Sequence, residues 1–176
     1  MKIVAFCALT LLACLAASLF GALHNQVSYT VGPEYFTAVK FLQFQIAPAL
    51  PHRIGAALVG VYASWWMGLF MAAPIFGVGL FIPGASAFWR AGLVAIFIVL
   101  VITALGAATG LGLAIVAGAP EPWMSALSLT DPVGFARAGD MHNASYLAGG
   151  IGLLVALAYM VYRVLKSRRG RRETAP

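Results

Sequence analysis

The chain has 176 residues, 62% of them hydrophobic and 9% charged, with a net charge of +6 at pH 7. The charges are unevenly spread: no Lys, Arg, Asp or Glu occurs in 3–23, 54–89, 91–120 or 143–162. Most of the excess positive charge sits in the C-terminal tail, which argues against a nucleic-acid site and for an anchor attracted to anionic lipid.

A bilayer core of roughly 30 Å is crossed by about 20 helical residues at 1.5 Å each. All four charge-free segments reach that length. Barrel strands would be about 10 residues of alternating polarity, and in lipid the backbone must satisfy its own hydrogen bonds. The expected fold is therefore all-α, a four-span transmembrane helix bundle with an extracytoplasmic polar cap. The spans are expected at about 3–23, 54–80, 91–117 and 143–165. They form a single membrane domain over 1–166, with outer connections 24–53 and 118–142 and a basic cytoplasmic tail over 167–176.

The first segment follows Met1-Lys2, as a secretory signal would. Its uninterrupted length favours a retained helix; cleavage would leave three spans without changing their orientation. Cys7 and Cys14 share a face of this helix but lie too far apart along it for a disulfide. Without a C-x-x-C pair, a membrane thiol–disulfide oxidoreductase lacks its reactive chemistry.

In the connection that follows, Val27, Tyr29 and Val31 alternate with polar residues, which is strand periodicity. Gly32-Pro33 breaks it. Pro33 suits the first position of a helix and Glu34 its first turn, with Tyr35, Val39, Leu42 and Ile46 along one face. Leu42 to Ile46 also alternates like a strand, so a hairpin stays open there. A segment this aromatic is expected to fold over the bundle mouth as a cap.

Trp65-Trp66 falls near the middle of the second span. Pro74, with Gly77 and Gly79 after it, is expected to kink or break that span before Pro83-Gly84 turns the chain. Trp89 and Trp123 lie where an interfacial aromatic belt belongs. Gly106 and Gly110 form a GxxxG, extended by Gly112, and Ala148 with Gly152 gives a small-xxx-small pair. Such faces serve packing within the bundle or contact with a second copy or another membrane protein. Asp131-Pro132 or Asp140 can cap the last helix, which is expected to start at Asp140, placing His142 and Tyr146 one turn apart on one face.

Counting Lys and Arg in the short flanks sets the orientation. Lys2, Arg90, Arg163, Lys166, Arg168, Arg169, Arg171 and Arg172 fall on one side, against Lys40, Arg53 and Arg137 on the other. Both termini are expected to be cytoplasmic, in a bacterial inner membrane. All three histidines and four of the five acids then lie outside.

Three runs, HNQVSYTVGPEYFTAVKFLQF (24–44), ASWWMGL (63–69) and HNASYL (142–147), resemble an uncharacterised family of small polytopic bacterial membrane proteins. The resemblance implies that these stretches belong to one fold; it implies no activity, substrate or cofactor.

The chemistry-bearing residues gather in the outer connections. His24-Asn25 and His142-Asn143 are expected at equal depth, each followed by Ser and Tyr. His24, His142 and Glu34 are the candidate ligands of a divalent metal open to water or substrate, although no fixed local spacing of the H-E-x-x-H kind supports them. Asn25, Gln26, Tyr29, Tyr35, Asp140, Asn143 and Tyr146 complete the outer polar cluster. The plainer reading is that these groups hydrogen-bond to loop backbone and fasten the cap. Haem ligation by His24 and His142 is a further reading. Charge-free spans argue against ion-coupled transport, and no G-x-S-x-G elbow, P-loop or zinc-protease helix is present. The function expected is a non-catalytic accessory, assembly or interaction subunit. The alternatives are a small transporter or pore for a neutral solute and an outward-facing metal- or quinone-linked enzyme.

Overall fold

The computed structural model describes residues 1–173, and 174–176 of the basic tail lie outside the described residues. Helix α1 spans Lys2–Val31. A π-helical segment at Tyr35–Lys40 leads into the single turn of α2 at Phe41–Gln43. Helix α3 spans His52–Gly79, α4 Ala85–Ala117 and α5 Pro132–Glu173, with a 3-10 segment at Pro122–Leu127 before the last. No strand occurs among the described residues. Four of these helices are long and apolar enough to cross a membrane: Lys2–Val31, His52–Gly79, Ala85–Val116 and Pro132–Arg169.

The connections are more helical than their composition suggests. The alternation at 24–31 is not a strand but the last two turns of α1. The buried positions there are Gly21, His24, Asn25 and Ser28, a spacing of three and four that belongs to a helix face. No hairpin forms at Leu42 to Ile46. The chain instead turns at Phe44 and Gln45, with Gln45 at φ 53 and the Ile46 N–H donating to the Phe41 carbonyl at 2.9 Å. Helix α4 starts at Ala85, not near 91, because Arg90 stays exposed on its first turns. Pro74 does not break α3, which continues to Gly79; membrane helices tolerate a proline where neighbours satisfy the freed carbonyl.

Helix α5 begins two turns earlier than Asp140. Asp131 Oδ1 accepts the Gly134 N–H at 2.8 Å, and Pro132 occupies the position where a missing N–H costs nothing. Asp140 is an exposed mid-helix residue.

Packing divides the bundle into two pairs, α1 along α3 and α4 along α5. Each pair is drawn together by small residues. Gly21 and Gly60 face each other so closely that a Cβ on either would overlap the other's backbone, and Gly68 sits likewise against Ala13 and Cys14. Gly106 and Gly110 lie on Ala148 and Ala144 of α5. The GxxxG thus serves packing within the chain, and only Gly112 has open space beside it. The pairs meet through larger side chains at the end that carries the N-terminus, where Leu9, Phe76, Phe88 and Met160 are fully buried. The Lys2 ammonium donates to the Leu80 carbonyl at 2.9 Å and closes that end. At the other end a second apolar cluster, centred on Phe36, Ala56 and Val59, seats the cap.

Trp65 and Trp66 are each 49% exposed, on the outer surface of the bundle. Cys7 and Cys14 are both free.

Candidate functional site

The cap end of the bundle holds a buried polar cluster built by three helices. Asn25 on α1 donates from Nδ2 to the Ala56 carbonyl of α3 at 2.9 Å. His142 on α5 places Nδ1 2.8 Å from the Ala138 carbonyl one turn below it, and Nε2 3.1 Å from Asn25 Oδ1. Asn25 is 3% exposed and His142 5%.

This chain of contacts is one hydrogen short. Both of its ends, the carbonyls of Ala138 and Ala56, only accept, while a neutral imidazole and an amide each bring one donating and one accepting end. With Nδ1 donating to Ala138, Nε2 is an acceptor and faces the acceptor Oδ1. Flipping the Asn25 amide moves the clash to Ala56 without removing it. For a neutral His142 the deficit persists in either ring tautomer and either amide orientation; only a second proton on the ring, which burial disfavours, would remove it.

His24 lies against His142 edge to face, with ring centroids 4.6 Å apart and planes at 83°, and stacks on Phe20 at 5.8 Å. Its Nε2, like the Ser28 hydroxyl, is buried with no hydrogen-bond partner. Tyr35, Phe36 and Tyr146 surround the His142 ring at 4.8, 6.1 and 6.4 Å. Ser145 donates to the His142 carbonyl at 2.7 Å.

The other expected residues lie elsewhere. Glu34 does not join the histidines: its two oxygens accept the backbone N–H groups of Thr130 and Asp131 at 3.0 and 2.7 Å. Those bonds hold its carboxyl below the usual carboxylate range and tie the two outer connections together. Gln26 and Tyr29 fasten the seam between α1 and α3, Gln26 to the Arg53 carbonyl at 3.0 Å and the Tyr29 hydroxyl to His52 Nδ1 at 3.1 Å. Lys40 sits 5.2 Å over the Tyr35 ring; burial pushes the Lys40 ammonium down and the Tyr35 hydroxyl up. Asp140 and Asn143 face outward, so the second His-Asn pair does not repeat the first.

No group of three His, Cys, Asp or Glu among the described residues is placed to hold a metal ion. Two rings packed edge to face at 4.6 Å also leave no room for a haem plane between them.

What the sequence did not single out is the space beneath this cluster. A cavity of about 130 Å³ runs between the two helix pairs, with His24, Asn25, His142, Ser145 and Tyr146 at one end and Ile75 and Phe76 at the other. Its walls are mostly small or apolar, and no Lys, Arg, Asp or Glu lines it. Half-buried Phe20, Met67 and Leu100 and exposed Tyr146 form part of the lining, so the cavity is open to the surface of the bundle. Glycines pull the partners of each pair together, and the two pairs stay apart along this stretch.

No protein-family model matches the chain, and neither a curated protein nor a solved structure matches it significantly.

Proposed function

We propose that this multi-pass membrane protein is a non-catalytic accessory subunit of the bacterial inner membrane that binds a small molecule between its helix pairs. Its polar mouth faces away from the cytoplasm and both termini face into it, as a member of a family of small bacterial membrane proteins. The observation that carries the reading is the cavity itself, lined by no Lys, Arg, Asp or Glu and with most of its polar groups gathered at one end. Pockets of this kind, apolar with a few convergent polar groups, are the usual form of a ligand site.

The fully buried Leu9, Phe76, Phe88 and Met160 favour binding over conduction, because they fill the bundle where a pore would have to continue. The chemistry at the mouth favours binding over catalysis. Asn25, His142 and Ser145 are each bonded to backbone, and no hydroxyl or thiol of the cluster is hydrogen-bonded to a base.

The test is extraction of the protein purified from its own membrane, followed by mass spectrometry of the released molecules, compared with Ala63→Phe, which fills the cavity wall. A small molecule retained by the wild type and lost from the variant is expected. Equal retention, or none in either, would overturn the reading.

A further inference from the structure

Building on the reading of the cavity as a binding site, we infer that its ligand is one neutral, single-chain amphiphile with a hydroxyl headgroup. The hydroxyl lies at His24, Asn25 and His142, and the chain runs down between the helix pairs.

Neutrality follows from the lining. A charged headgroup at this depth would need a counter-charge, since an unpaired ion away from water is costly, and no ionisable acid or base other than the histidines and Tyr146 lines the cavity. None of Lys40, Arg53 and Arg137 lines the cavity; Arg53 sits on Thr30 at 3.3 Å and Lys40 on Gln43 at 3.0 Å.

The hydroxyl follows from the missing hydrogen. His142 Nε2 and Asn25 Oδ1 are 3.1 Å apart with one donor too few between the two carbonyls. A ligand O–H shared between these two acceptors supplies it. His24, only 9% exposed, lines the same end of the cavity with Nε2 unpartnered, and in its Nε2–H tautomer it can donate back to the hydroxyl oxygen. A hydroxyl has both the donor and the lone pairs this requires. A ketone or ether oxygen only accepts: it could take the His24 N–H but would leave the donor missing between His142 and Asn25 unsupplied.

The single chain follows from shape. The lining runs on α1 from Ala13 to Asn25, roughly 18 Å at 1.5 Å per residue, which exceeds half of a bilayer core of about 30 Å. The slot therefore has the length of one membrane chain, and its volume of about 130 Å³ encloses only part of that chain, the rest lying along the side open to the bundle surface. The small side chains of Ala13, Ala16, Ala17 and Ala63 set its width.

Two sources share this chemistry, a straight-chain alcohol and an isoprenoid alcohol or quinol. The experiment uses the purified full chain and four probes: a long straight-chain alcohol, a prenol of matched length, the methyl ether of the preferred alcohol, and the corresponding carboxylic acid. Binding is read by native mass spectrometry, together with the His24 imidazole ¹⁵N shift. At least one alcohol is expected to bind about tenfold tighter than its ether and the acid, the worth of one buried hydrogen bond, and to move the His24 signal. The preferred alcohol identifies the source. His24→Phe, which keeps the stack on Phe20, is expected to erase the preference for alcohol over ether, and Ala63→Phe to abolish binding of both. Ether and alcohol binding alike would overturn the hydroxyl headgroup and leave the cavity reading standing. Absence of binding by every probe to a folded wild type would overturn both.

Discussion

Asn25 and His142, 117 positions apart in the chain, meet at 3.1 Å in the interior, and through the Ala56 carbonyl they bind three of the four spanning helices to one another. Asn25 is the joint of that arrangement, since its two ends serve different helices.

Replacing Asn25 by Leu is therefore expected to cost about 1–3 kcal/mol, because it removes the side-chain donor to the Ala56 carbonyl and leaves the buried His142 Nε2 facing hydrocarbon. His24→Phe should cost much less, since His24 Nε2 has no protein partner to lose. Thermal unfolding of the three purified proteins in one detergent checks this. A larger loss for His24→Phe than for Asn25→Leu would contradict the hydrogen-bond assignment.

The glycine seam predicts a sharp positional contrast. Gly60→Val should prevent α1 and α3 from closing, because even a Cβ there meets the backbone of Gly21. Gly112→Ala, with open space around it, should leave stability within about 0.5 kcal/mol of wild type or raise it slightly through helix propensity. Yield of monodisperse protein and its melting temperature separate the two outcomes.

The outline of the fold was readable and the site only in part. Charge-free runs gave the number of spans because the cost of charge in hydrocarbon is large and local. The same rule misplaced two boundaries at the cap end, the end of α1 at Val31 and the start of α5 at Pro132. The end of α4 at Ala117 and the start of α3 at His52 lie at or next to the expected positions. Polar residues such as Gln26 and Thr30 do not end a helix once it leaves the lipid, and the helical spacing of Gly21, His24, Asn25 and Ser28 was the overlooked sign that α1 continues. The proximity of His24 and His142 was visible from their equal depth. The separation of Glu34 from them was not, because a carboxylate bonded to two backbone N–H groups leaves no side-chain partner to recognise. The cavity depends on how two pairs stand apart, a relation that no single segment encodes.

The Glu34 clasp gives a pH dependence with a definite sign. Its folded value lies below the unfolded value of 4.5, chiefly through the Asp131 and Thr130 N–H groups. Its contribution is thus complete above 4.5 and is lost as pH falls through the lower folded value. Glu34→Gln should leave the 118–131 connection more open to protease than wild type at pH 7, and the difference should vanish on acidification below that folded value. A difference that persists in acid would contradict the assignment.

Topology is tested with reporter fusions. Fusions after Arg169 are expected to read cytoplasmic and fusions near Pro120 to read outside, as the eight-to-three bias of Lys and Arg requires. The opposite pattern would reverse the side on which the polar mouth opens.

Helix α5 is a single rod of 42 residues, roughly 63 Å long and about twice the thickness of the hydrocarbon it crosses. It is held towards one end by the Asn25 contact and towards the other by Met160 in the apolar core, and it packs on α4 through closely seated alanines and glycines. The polar cluster at His142 and the cations Lys166 and Arg168 are thus mounted on one uninterrupted element, with roughly 36 Å of helix between His142 and Lys166.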